Sequence, residues 1–234
     1  MKDCVVYTAI FGNKDKLYEP FYDERCDYVC YTDNPNLSSK IWKINLVKKN
    51  QFSLPILNAK WYKLFPNKVL SDYKFSIWVD GNVEIVGPVY ELVSLCGNNA
   101  IAAYSAKYRK HDLNFNCIYD LAKETLSLVD SGRFPNLNKE KINILVRKMH
   151  SEGFPADYGL IAGMVIIREH GSVVVDKLMN EWWQYILEYC TRDELSFDYL
   201  CWKHNVKYSI LSGDCCCNEY FINHKYFNAS LVAG

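Results

Sequence analysis

Apolar residues in this chain gather in two patterns: short unbroken runs, which predict strands, and longer stretches with helical spacing. Residues 4–10 form a first strand, broken by Phe11-Gly12-Asn13-Lys14-Asp15 in a tight loop. Residues 27–32 repeat the pattern and end in Thr32-Asp33-Asn34-Pro35; a weaker strand covers 41–47. Leu54-Pro55-Ile56 opens a helix with proline in its first turn, and Pro66 closes it. The run Phe75-Ser76-Ile77-Trp78-Val79 predicts a buried strand that delivers Asp80-Gly81-Asn82 to its carboxyl end, before Val83-Glu84-Ile85 turns apolar again. Beyond it the pattern predicts a short helix over 88–96, a strand over 100–104 and a polar loop over 108–112. Helices follow over 116–130, stopped by Ser131-Gly132, and over 138–150, stopped at Gly153 and Pro155. A glycine-punctuated strand spans 158–168, and a long helix with Trp182-Trp183 spans 172–189. Thr191 and Glu194 stand at capping-box spacing at the start of another helix, and a last strand covers 206–211. Without repeats, low-complexity tracts or a flexible linker, residues 1–234 read as a single α/β domain, its strands separated by helices in the first half and helix-rich in the second.

Strand ends are where open α/β sheets bind ligands. Asp80 and Asn82 offer hard oxygen donors, and Gly81 between them allows the close backbone approach that Mg²⁺ or Mn²⁺ carrying a diphosphate requires. The same tripeptide is also an ordinary turn between strands. Asp33 at its strand end can accept hydrogen bonds from a ribose or base, or simply shape a turn. Lys60 and Lys63 share one helix face, where two ammonium groups either neutralise a diphosphate or form a solvated surface. Arg168 is placed to clamp a phosphate or a neighbouring carboxylate.

Composition narrows the field. Lys plus Arg number 27 and so do Asp plus Glu, so no excess charge points to nucleic acid or an anionic membrane surface. Any bound phosphate must therefore be met locally. No run approaches the roughly 20 apolar residues of a membrane-spanning helix. Eighteen tyrosines and 6 tryptophans suit either a core or stacking on a base or sugar. The 10 cysteines lack disulfide-framework or zinc-pair spacing, and Met1-Lys2-Asp3-Cys4 runs directly into a strand-like segment, so reduced thiols and a cytoplasmic location are expected. Neither a Gly-x-Gly-x-x-Gly nor a P-loop is present, which leaves a metal and side chains to hold a diphosphate.

Five segments, in order along nearly the whole chain, carry a resemblance: Tyr7-Thr8-Ala9-Ile10-Phe11-Gly12, Tyr31-Thr32-Asp33-Asn34, Ala59-Lys60-Trp61-Tyr62-Lys63, Ser76-Ile77-Trp78-Val79-Asp80-Gly81-Asn82 and Arg192-Asp193-Glu194-Leu195-Ser196-Phe197. Together they resemble a glycosyltransferase-like domain family that includes plant mucilage- and wall-related proteins with bacterial and viral members. The resemblance implies a single GT-A, Rossmann-like domain with a mixed central sheet flanked by helices. It implies a nucleotide-sugar half over 1–105 and an acceptor half over 106–234. It implies transfer of a hexosyl or deoxyhexosyl group from a nucleotide-sugar donor, a UDP-sugar foremost, to a glycan acceptor; in a viral member the location would be the host cytoplasm. A metal-dependent donor site, with Mn²⁺ or Mg²⁺, is implied at Asp80, although Asn82 stands where the family pattern has a second carboxylate. His224 is then a candidate third ligand, against the alternative of a surface histidine in a tail. Thr8, Ala9, Phe11 and Asp33 would line the nucleoside pocket, with Lys60, Lys63, Asp80 and Gly81 against the phosphates. Transfer needs a carboxylate beside the sugar, as base or as stabiliser of an oxocarbenium-like centre. Asp193 is the candidate, with Glu194 and Asp157 behind it; the alternative is that Asp193 only opens a helix. Asn82 also keeps open a non-catalytic nucleotide- or carbohydrate-binding module on the same fold.

Overall fold

The computed structural model describes residues 2–110 and 116–224. In chain order they form β1 (Cys4–Ile10), β2 (Cys26–Thr32), β3 (Lys43–Leu46), α1 (Pro55–Leu64), α2 (Pro66–Val69), β4 (Phe75–Val79) and β5 (Val83–Ile85). A 3₁₀ stretch, Val89–Asn99, leads to β6 (Ile101–Ser105), α3 (Ile118–Asp130), α4 (Lys139–Ser151), β7 (Ile161–Glu169), α5 (Val173–Glu188), α6 (Glu194–Lys203), β8 (Ser209–Leu211) and β9 (Phe221–Asn223). The 7-stranded sheet has the order β3-β2-β1-β4-β7-β6-β8. β7 is antiparallel to both neighbours, and the remaining pairings are parallel. This is the mixed sheet flanked by helices that the family resemblance implies.

Burial explains the unbroken apolar runs. Every residue of β1 is buried, because parallel strands covered by helices on both faces have no solvent side on which to place polar residues. The carboxyl ends of β1, β2, β4 and β6 open on one edge, and the amino end of β7 arrives beside them. There β7 bulges: Ala103 pairs with Ile166 but Tyr104 with Ala162, so the intervening segment around Gly163 and Met164 leaves the ladder with β6. The Asp80 amide donates to the Met164 carbonyl at 2.9 Å, which ties that bulge to the end of β4.

As the turn reading of Asp80-Gly81-Asn82 expects, the segment 75–85 divides into β4 and β5 at a turn closed by Val83 N–H to Asp80 O, 2.9 Å. Other expectations need correction. β5 leaves the main sheet and pairs with β9, a strand too short for its pattern to stand out. Thr191 and Glu194 form no capping box: Asp193 occupies the N-cap position with helical φ/ψ and caps nothing with its side chain. Arg168 makes no ion pair within salt-bridge distance among the described residues; it is buried and donates to the Tyr7 hydroxyl at 2.8 Å, with Asp176 a more distant electrostatic neighbour. Burial pulls its pKa down from the usual arginine value. Residues 111 and 112 of the expected polar loop lie outside the described residues.

Candidate active site

The site grows from α1. Its start is fixed by Pro55 and by Asn58, whose side chain accepts from the Gln51 and Phe52 amides and donates to the Phe52 carbonyl. Helical spacing then points Lys60 and Lys63 the same way, toward the amino end of α6. Lys60 Nζ lies 2.6 Å from Asp193 Oδ1, and Lys63 Nζ lies 2.6 Å from Asp193 Oδ2. One carboxylate thus holds two ammonium groups. Asp193 is 3% exposed, and its backbone carbonyl accepts from Trp182 Nε1 at 2.9 Å. Burial alone would raise the Asp193 pKa, but Lys60 and Lys63 outweigh it and hold the carboxyl far below the usual range. Burial would likewise lower Lys63, yet Asp193, Asp80 and Glu194 raise it.

Glycine makes room for this cluster. A Cβ at Gly163, on the β7 bulge, would stand 3.1 Å from Lys63 Nζ and 3.7 Å from Asp193 Oδ2. At the end of β4, Asp80 Oδ1 accepts from Trp78 Nε1 at 2.6 Å and sits 3.7 Å from Lys63 Nζ. Its side chain is 37% exposed, so a carboxylate oxygen faces the opening. Asn82 donates from Nδ2 to Asn223 Oδ1 at 3.1 Å, which leaves its own amide oxygen for another partner.

These groups surround a cavity of about 640 Å³ lined by Lys60, Asp80, Asn82, Asp193, Glu194 and Asn223. Arg192, 3.7 Å from Glu124, lies on another wall. The volume suits a small ligand with several polar contacts. Glu194 is half-buried, and its carboxylate makes no ion pair or hydrogen bond among the described residues.

The structure therefore brings together Lys60, Lys63, Asp80, Asn82, Asp193 and Glu194, but gives several of them different work. Asp193 is not free to take a proton, because both oxygens are committed to lysines. Lys63 is sealed at 3% exposure and faces carboxylates, not an open phosphate site. Gly81 is buried: a Cβ there would meet Ile10 Cγ1 at 2.9 Å and Asp15 Cβ at 3.0 Å, so close chain packing, not ligand approach, accounts for the glycine. His224 does not turn its ring to Asp80. Its backbone amide donates to the Asn82 carbonyl at 3.2 Å, while Nε2 lies 2.6 Å from Glu84 Oε2 and the ring stacks on Tyr18.

Thr8, Ala9 and Phe11 are buried in and beside β1 and do not line the cavity; Phe11 instead stacks on Tyr62. Asp33 accepts from the Gly12 amide at 3.0 Å and from Asn50 Nδ2 at 3.0 Å, bracing the loop after β1 on the same sheet edge. Asp157 is exposed and outside the cavity, with φ +57°. Sequence reasoning missed Trp78 as the clamp on Asp80, Asn223 beside Asn82, and Gly163. A tryptophan two residues before a strand-end carboxylate was a readable signal; Asn223 arrives from a remote strand and had none.

Fold and site define an α/β domain whose polar cavity lies at the carboxyl edge of its parallel strands. Residues 21–226 match the TOD1/MUCI70, glycosyltransferase-like domain, and the chain belongs to that family. It is 24% identical over 229 residues to a probable hexosyltransferase MUCI70 of Arabidopsis thaliana, an overlap of 84% of this chain and 37% of that protein. The chain thus spans little more than a third of that relative's length. Solved structures with similarity include a WbbM bifunctional glycosyltransferase without ligand, at TM-score 0.44 and 11% identity, covering 85% of this chain and 37% of that one. Another is the mannosyltransferase Ktr4p of S. cerevisiae in complex with GDP, at TM-score 0.44 and 10% identity, covering 89% and 67%.

Proposed function

We propose that this domain transfers a hexosyl or deoxyhexosyl group from a nucleotide-diphosphate donor, with UDP-sugars first in line, to a carbohydrate acceptor in the Asp80 cavity. The observation that carries the reading is the meeting of Asp80, Asn82, Lys60 and Glu194 around one cavity at the strand ends. Family membership gives the reading its reaction class.

Each of these groups has a task in such a transfer. Departure of the sugar loads negative charge on the nucleoside diphosphate, so positive charge fixed in advance lowers the barrier. Lys60, whose side chain is 13% exposed on the cavity wall, is the ammonium able to meet that charge. Asp193 keeps it extended and Lys63 keeps Asp193 in place, so these two are positioning residues. Glu194 is the uncommitted carboxylate, suited either to accept the acceptor hydroxyl's proton or to face the electron-poor sugar carbon. Asp80 and Asn82 are hard oxygen donors that fit Mg²⁺ or Mn²⁺, although a neutral amide and a lysine 3.7 Å away make the protein's share of the binding weak. Such an ion, held by Asp80 and Asn82, would neutralise diphosphate charge.

The test is release of nucleoside diphosphate from a panel of UDP-hexoses and UDP-deoxyhexoses with glycan acceptors, with and without Mn²⁺. Turnover should fall by about 100-fold or more in Asp80→Ala and Glu194→Gln. Asn82 and the lysine beside Asp80 favour one other reading, a binding module without catalysis. Donor binding that ignores Mn²⁺, with no turnover on any acceptor, would establish that module and end the enzymatic proposal.

A further inference from the structure

A second cavity, of about 430 Å³, lies beyond the wall of the first. Ala106, Leu160 and Ile161 face the candidate active cavity, whereas Lys107, Tyr108 and Tyr158, on the same two segments, face this one. Tyr108 and Tyr158 are 48% and 47% exposed, an unusual position for two large rings flanking one hollow. Aromatic faces of this kind pack against the C–H face of a sugar ring, while amides, hydroxyls and ammonium groups meet its oxygens.

Charge then narrows the class. Lys107 and Lys207 are exposed on the rim and make no ion pair among the described residues. Asp198 is the sole carboxylate among the lining residues, and it is already occupied. Its Oδ1 accepts from the Tyr208 hydroxyl at 2.8 Å and its Oδ2 from the Ile161 amide at 2.7 Å. The floor is therefore internally satisfied, and among the described lining residues the two lysines are the charges left without an ion-pair partner.

We propose that the hollow between Tyr108 and Tyr158 is a second, non-catalytic glycan subsite that takes an anionic oligosaccharide. A chain anchored there sits across one short wall from the candidate active cavity, where anchoring raises its local concentration. The subsite does not depend on the domain being a transferase, and its test reads binding alone. The intact chain is titrated calorimetrically with trigalacturonate, with a sulfated trisaccharide of the same length and with neutral cellotriose. Both or one of the anionic probes should bind, more weakly as salt rises, and cellotriose at least about tenfold less tightly; the carboxylate and sulfate arms separate the two sources of charge. The pair Tyr108→Ala with Tyr158→Ala should lower affinity about tenfold. The pair Lys107→Ala with Lys207→Ala should remove most of the salt dependence and melt like the parent because both lysines are exposed, whereas the tyrosine pair, with Tyr158 packed on Phe154, should melt lower yet remain folded at the titration temperature. Asp80→Ala should leave this binding intact even if it abolishes transfer. Failure of every anionic probe to bind, equal binding of cellotriose, or binding that survives the tyrosine pair and disappears with Asp80→Ala would overturn the proposal.

Discussion

Asp193 and Asp198 stand on one short helix, are both buried, and face different cavities, yet burial has opposite outcomes for them. Two ammonium groups from α1 meet Asp193 and hold its carboxyl far below the usual range against the desolvation that would raise it. Asp198 meets a phenol and an amide but no cation, so desolvation wins and its pKa is pushed up to about 6. Residue type is the same, and both belong to α6, Asp193 at its N-cap and Asp198 within it. The difference is supplied by side chains far away in sequence, and it gives the first aspartate a fixed charge and the second a titratable one.

Removing the fixed charge should have the largest effect. Asp193→Ala leaves two ammonium groups facing each other, Lys63 fully buried and Lys60 on the cavity wall, and a buried pair broken from one side costs about 3–5 kcal/mol. Denaturant unfolding reads this directly. Asp193→Leu combined with Lys60→Met and Lys63→Met should recover a large part of the loss, since replacing all three partners leaves no orphaned ammonium. If Asp193→Ala unfolds like the parent, the cluster is not what fastens α1 to α6.

The titratable aspartate gives a comparable effect in one pH window. The folded pKa of about 6 lies above the unfolded value of 3.8, so Asp198 contributes stability that is fully present below 3.8 and lost as pH rises through about 6. The span corresponds to about 3 kcal/mol. Asp198→Asn, which cannot titrate, should therefore gain on the parent by that order between pH 4 and pH 7, measured by unfolding at each pH. Asp193 has the opposite sign: its contribution is present above 3.8 and is lost only as pH falls toward a folded pKa well beneath that value. A parent protein whose stability difference from Asp198→Asn is flat across pH 4–7 would erase the contrast between the two residues.

A smaller effect probes the space around the lysines. Gly163→Ala places a methyl 3.1 Å from a Lys63 ammonium that Asp193 pins in place, so the strain cannot be relieved by swinging the lysine away. Overpacking of this size costs about 1–2 kcal/mol. The same substitution combined with Asp193→Asn should cost less than the two alone predict, because the lysine is then freer to move.

What could be read in advance follows from the same physics. The strands of the main sheet were legible because burial on two faces writes itself as unbroken apolar runs, and β1 falls on the predicted boundaries. The pairing of Lys60 with Lys63 on one face followed from helical spacing. That Asp193 is their shared partner did not, since no local pattern records a contact between α1 and α6. The capping-box spacing at Thr191 misled for the same reason: the Asp193 side chain is recruited by the lysines, and the helix begins without it. β9 was lost because three residues pairing with three carry too little periodicity to detect.

The smallest effect concerns His224, where sequence position and geometry disagree. Arrival of the chain beside Asn82 is real, through the backbone amide, but the imidazole is engaged by Glu84 at 2.6 Å and by the Tyr18 ring. A partly exposed pair of this kind contributes less than about 1 kcal/mol. His224→Ala should therefore shift stability by no more than that. Because the ring points at Glu84, it should also leave the Mn²⁺ concentration for half-maximal donor binding within about twofold of the parent, a change near the 0.4 kcal/mol that twofold represents. Asp80→Ala in the same titration supplies the contrast, since it removes the charged oxygen of the site. A large loss of Mn²⁺ response in His224→Ala would mean that donor binding draws the imidazole away from Glu84 and onto the ion, and the tail would then belong to the active site.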